Sequence, residues 1–94
     1  MTDERQLDRE MDRGGKAAAL MRDPLLQEAF DELEASYTQA WLNSDPAKPE
    51  VRENQFRMVQ ALKGVRNHLE SVLQTGELAA KELDAIQGKR RFFG

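Results

Sequence analysis

The stretch Asp23-Pro24-Leu25-Leu26-Gln27-Glu28-Ala29-Phe30-Asp31-Glu32-Leu33-Glu34-Ala35-Ser36-Tyr37-Thr38-Gln39-Ala40-Trp41 combines a helix start and a helix face in one run. Asp23 is an N-cap residue type, whose carboxylate accepts from the unpaired N–H groups of a first turn. Pro24 supplies a pre-set φ where no N–H is needed. Glu28 and Asp31 bring negative charge to the first turns, where the helix dipole favours it. The apolar positions Leu26, Phe30, Leu33, Tyr37 and Trp41 step by three or four, with Ala29 and Ala40 beside them, and draw one stripe down one helix face.

Beyond this helix, Asn43-Ser44-Asp45-Pro46-Ala47-Lys48-Pro49 holds two prolines and three turn formers, so it reads as a connection. Its shortness predicts an antiparallel helical hairpin. The second long helix is expected from Pro49 to Thr75, with Glu50 and Glu53 near its start and a stop at Gly76. Its stripe is Phe56, Val59, Leu62, Val65, Leu69 and Val72, flanked by Met58 and Leu73. It outruns its partner, and Glu77 to Gln87 supplies a short amphipathic helix through Leu78, Leu83 and Ile86 to cover the overhang. Gly88 is the expected αL cap of that short helix. Gly64 falls opposite Ala29 in the hairpin, where two small residues would let the helices come close.

Working upstream, Thr2 to Arg13 carries eight charged groups with only Leu7 and Met11 as apolar anchors, and Gly14-Gly15 follows as an interruption. A frayed, mobile segment is expected there, then a turn or two of helix over Lys16 to Met21. The organisation is thus a mobile charged segment at 1–15, a helical domain at 16–88 and a basic-aromatic tail at 89–94. No β-alternation and no internal repeat is present. The fold class expected is all-α, an antiparallel helical hairpin of two long helices flanked by short helices.

Composition bounds what such a chain does. With 94 residues, 39% hydrophobic and 33% charged, it has the balance of long solvated helices rather than of a thick core, and self-association would relieve that shortage. A net charge of -3 excludes a surface that coats nucleic acid or anionic membrane throughout, since that needs clustered cations. Cysteine is absent, so disulfides and thiolate metal sites are excluded. No apolar run is long enough to span a membrane, and the mixed-charge start Met1-Thr2-Asp3-Glu4-Arg5 does not read as a secretory signal.

The side chains that carry chemistry are sparse. Ser36, Ser44 and Ser71 share a single histidine, His68, so no nucleophile and base pair is legible. Glu28, Asp31, Glu32 and Glu34 crowd one helix, but a bundle di-metal site wants a Glu-x-x-His from each of two helices. They read instead as a solvated face pairing with Arg52, Arg57, Lys63 or Arg66 of the neighbouring helix. Gly14-Gly15 lacks the spacing of any phosphate loop. No enzyme activity, cofactor or metal is therefore expected.

Two binding features remain. Lys63, Arg66 and His68 lie close along one helix and are candidate nucleic-acid contacts, without the tight turn and recognition helix of a groove reader. Lys89, Arg90, Arg91, Phe92 and Phe93 form a terminal element in which cations steer an approach and two aromatic rings drop into a partner's pocket. The competing reading folds Phe92 and Phe93 back onto the overhanging second helix.

Through Asp23-Pro24-Leu25-Leu26-Gln27-Glu28-Ala29-Phe30, Glu34, Tyr37, Ala40 and Trp41, then Val65-Arg66-Asn67-His68-Leu69-Glu70, Gly76, Leu78 and Ala79, the chain resembles short helical phage-encoded proteins. These sit beside head and DNA-packaging genes, and the resemblance runs from Arg22 to Leu83. It implies a virion-assembly or packaging role, such as a reduced small terminase-like subunit, in the cytoplasm of a bacterial host or with the virion. It implies no catalytic residue. The expected partner is a second copy or a packaging or head component, with nucleic acid as a further candidate and no membrane. The alternative function class is a small helical modulator of a host or phage protein.

Overall fold

Asp23 ends one helix and begins the next. In a computed structural model that describes residues 3–93, with side chains for 3–90, its Oδ1 accepts from the backbone N–H of Leu25 at 2.9 Å and of Leu26 at 3.0 Å. Pro24 occupies the first turn, as the cap geometry favours. The described residues form three helices and no strand: α1 (Glu4–Arg22), α2 (Pro24–Leu42) and α3 (Pro49–Phe93). The fold is all-α.

The connection between α2 and α3 is built from local hydrogen bonds. Ser44 Oγ donates to the Trp41 carbonyl at 2.7 Å, and Asp45 Oδ1 accepts from the Ala47 N–H at 2.9 Å. These side chains satisfy backbone groups that the helix end and the turn leave open.

Glycine is where the helices depart from the sequence expectations. Gly14-Gly15 does not interrupt a helix: α1 is continuous across it, so the mobile segment and the short following helix are one element of 19 residues. Neither does Gly76 stop the second long helix, nor Gly88 cap a separate short one. The span from Pro49 to Phe93 is a single helix of 45 residues, and no described glycine has positive φ. The flanking short helices are therefore absent as separate elements. A helical glycine costs about 1 kcal/mol relative to alanine, which tertiary contact readily offsets.

By contact the chain divides into two units, residues 1–21 with 69–94 and residues 22–68. In the first, α1 runs antiparallel to the later part of α3. Glu4 pairs with Arg90, Leu7 packs with Ala79 and Leu83 against Ile86, and Gly14 faces Gly76 and the Val72 carbonyl. Among the described residues, the buried hydrophobic side chains all lie in this unit: Leu7, Ala17, Ala79 and Leu83. Small residues at the contact bring the backbones together, and Leu7 fills the space beyond them. Burying a leucine of this kind contributes about 1.5–3 kcal/mol.

In the second unit α2 runs antiparallel to the first part of α3, with the Trp41 and Phe56 rings 6.1 Å apart and Phe30 beside Arg66. No residue between 22 and 68 is buried. The expected close approach at Gly64 is absent, since a Cβ placed there meets nothing within 4 Å.

Candidate interaction surface

The second unit holds the charged and apolar side chains that the sequence singles out. Arg66, on α3, reaches across to α2, where its Nη2 donates to Asp31 Oδ1 at 2.6 Å and its Nη1 lies 3.4 Å from Glu34 Oε2. Its guanidinium carbon also sits 5.1 Å from the centre of the Phe30 ring. A planar cation over an aromatic face with carboxylates at its edge uses both the fork and the flat surface of arginine. The hydrogen bond that Arg66 donates to Asp31 raises the Arg66 pKa; desolvation opposes it, and the charges of Glu34 and Asp31 add to it.

This cluster lines one side of the helix pair. A groove of about 390 Å³ runs beside it, bordered by Asp31, Glu34, Thr38, Val59 and Lys63. Lys63 and Arg66 thus share a side with Asp31 and Glu34, so the local charge is balanced rather than basic. His68 is exposed and lies two residues beyond Arg66, about 200° further round the helix. The structure therefore does not bring the three candidate nucleic-acid residues to one face.

The packing stripe divides in a similar way. Leu26, Phe30, Tyr37, Val59, Leu62, Leu69 and Val72 are half-buried, whereas Leu33, Trp41, Phe56 and Val65 remain exposed. Met58 and Val51 are exposed with them, at 43% and 41%, beside Leu33 at 45% and Val65 at 50%. A smaller depression of about 260 Å³ lies by the connection, lined by Trp41, Leu42, Ser44, Pro46 and Arg52.

At the other end of the chain, Lys89 and Arg90 are exposed on the continuing helix, and Arg90 forms an ion pair with Glu4. The backbone of α3 extends to Phe93. The side chains of Arg91, Phe92 and Phe93 lie outside the described residues. No helix among the described residues is long and apolar enough to cross a membrane.

Sequence reasoning missed the contact between Gly14 and Gly76, and it missed Val51 and the row that Val51 forms with Met58 and Val65, which it had read as flank and stripe. A signal for the row exists in the sequence: Val51, Met58, Val65, Val72, Ala79 and Ile86 recur every seven residues, the spacing of one helix face. In the first unit Val72, Ala79 and Ile86 are covered or half-covered, and in the second unit Val51, Met58 and Val65 are open. In comparisons with known proteins, no family model, no curated protein and no solved structure matches this chain.

Proposed function

We propose that this chain is a non-enzymatic accessory of phage virion assembly or DNA packaging that acts through helix-mediated association. The observation that carries this reading is the second unit, a hairpin of two helices with no buried residue and a row of exposed large hydrophobic side chains. Two helices cover only one side of each other, and a stable helical layer buries its remaining apolar stripe against another element. A surface of this kind serves binding rather than turnover, and its grooves are shallow.

The assembly and packaging role rests on the resemblance carried by Asp23 to Trp41 and Val65 to Glu70. On this proposal the chain acts in the host cytoplasm during particle formation, or with the finished virion. Lys89, Arg90, Arg91, Phe92 and Phe93 are the proposed contacts to a packaging or head component.

The test is to interrupt the gene in its phage or prophage and examine the particles. An accumulation of empty or misassembled heads supports the reading. Normal, filled particles with a changed host response would instead point to a modulator. Removing residues 89–94 should weaken binding to the packaging or head component, and full binding by that variant would exclude the tail as the contact.

A further inference from the structure

A helix turns about 100° per residue, so the half-buried line of each helix in the second unit has two flanks. On α2 the line is Leu26, Phe30 and Tyr37, with Asp31 and Thr38 on one flank and Leu33 and Ala40 on the other. On α3 the line is Gln55, Val59, Leu62 and Arg66, with Lys63 on one flank and Val51, Met58 and Val65 on the other. The groove bordered by Asp31, Thr38 and Lys63 shows which flanks coincide, because it draws the two charged flanks to one side. The two apolar flanks therefore meet on the opposite side. With Phe30 beside Arg66 and Trp41 beside Phe56, Leu33 falls level with Val65, and Ala40 level with Met58.

We infer that this apolar side, centred on Leu33, Met58 and Val65, is buried against the same side of a second copy of the chain, completing a four-helix bundle. The inference rests on the helix-mediated association proposed above and names its partner and its face.

Three observations select a second copy. The first is charge. Leu33, Ala40, Val51, Met58 and Val65 are all uncharged in a chain that is 33% charged. A two-fold contact sets each patch against itself, so it tolerates no concentration of one sign, and this side has none. Small Ser36 and Ala61 border it and allow close approach.

The second is area. Leu33, Val51, Met58 and Val65, four large apolar side chains, all remain exposed on this one side. A standard interface covers about 800 Å² on each partner, and the matching face of a second copy covers all four at once. The third is supply. A unit of 47 residues without a buried residue depends on its partner for stability, and a second copy is present wherever the chain is made.

The experiment uses the full chain, which contains no cysteine, so a single introduced thiol reports one position. Met58→Cys and Val65→Cys place it on the apolar side, and Lys63→Cys places it on the charged side. Each variant is treated with a short bismaleimide after circular dichroism confirms its helicity. Covalent dimer from Met58→Cys and Val65→Cys, with little from Lys63→Cys, is the expected result. Equal dimer from Lys63→Cys, or no dimer from either apolar-side variant, overturns the inference.

A second variant guards against misreading. Met58→Glu with Val65→Glu should weaken self-association about a hundredfold or more, because it buries unpaired charge at the contact. An unchanged association constant overturns the inference as well. Failure here is distinguishable from failure of the accessory role, because particle assembly after gene interruption is read independently of self-pairing.

Discussion

Gly14 and Gly76 meet backbone against backbone: a Cβ built on either lies 2.7 Å from the other's Cα. One built on Gly76 also lies 2.9 Å from the Glu10 carbonyl oxygen. Atoms at such distances are backbone and cannot swing aside. Gly14→Ala or Gly76→Ala should therefore lower stability by about 1–3 kcal/mol, the usual cost of overpacking, despite the better helix propensity of alanine. Gly15, Gly64 and Gly88 have nothing within 4 Å of an added Cβ. Alanine at these three should raise stability by about 0.4–1 kcal/mol. Thermal melts followed by circular dichroism at one fixed protein concentration compare the five variants, and the sign of each shift is the result.

The core prediction concerns Leu7, which is 2% exposed against Ala79 and Leu83. Leu7→Ala should cost about 2–5 kcal/mol through lost burial and the cavity left behind. Leu25, exposed at 74%, is its control. Leu25→Ala should change stability by less than about 0.5 kcal/mol, and urea denaturation of both variants checks the contrast.

Asp23 caps α2 by accepting from Leu25 and Leu26. Asp23→Ala should destabilise by about 1 kcal/mol, and Asp23→Asn or Asp23→Ser should restore most of the loss, since these side chains also accept from a first turn. The same denaturation series measures both effects.

These predictions show where the fold was legible. The N-cap at Asp23, the proline at the first turn and the connection around Asp45 and Pro46 are local events, decided within a few residues, and they are plain in the sequence. The helical spacing of α2 and α3 was legible for the same reason, although Leu33, Trp41, Phe56 and Val65 of the expected stripes lie exposed. Gly14 and Gly76 were not, because the local cost of glycine is visible in the sequence while the contact that offsets it lies 62 positions away. Reading each glycine as a stop divided α1 and α3 into pieces. The apolar row Val51, Met58 and Val65 was hidden for a different reason: Val65 was assigned to the stripe and Met58 to its flank, so the seven-residue spacing that joins both to Val51 went unread.

Arg66 provides the electrostatic prediction. Arg66→Ala should remove the bridge to Asp31 and Glu34 and the contact with Phe30, with a modest stability loss that shrinks as salt is added, because Asp31 is exposed and Arg66 only half-buried. Arg66→Lys should keep the charge and lose the forked geometry. The Arg66 pKa is raised in the folded state, so its contribution is complete below the ordinary arginine value and is lost only as pH rises through the folded value. The difference in stability that comes from Arg66's own titration should therefore stay constant through neutral pH and fall only in strong alkali. A double-mutant cycle with Asp31→Ala, repeated across salt and pH, measures it.

Solution mass of the unmodified chain by light scattering across a dilution series, with circular dichroism on the same samples, reports whether the open side of α2 and α3 is covered. Association through that side predicts a mass above that of one 10.7 kDa chain at working concentration. It also predicts helicity that falls as dilution separates the copies. A fully helical particle of single-chain mass at every concentration would contradict self-association.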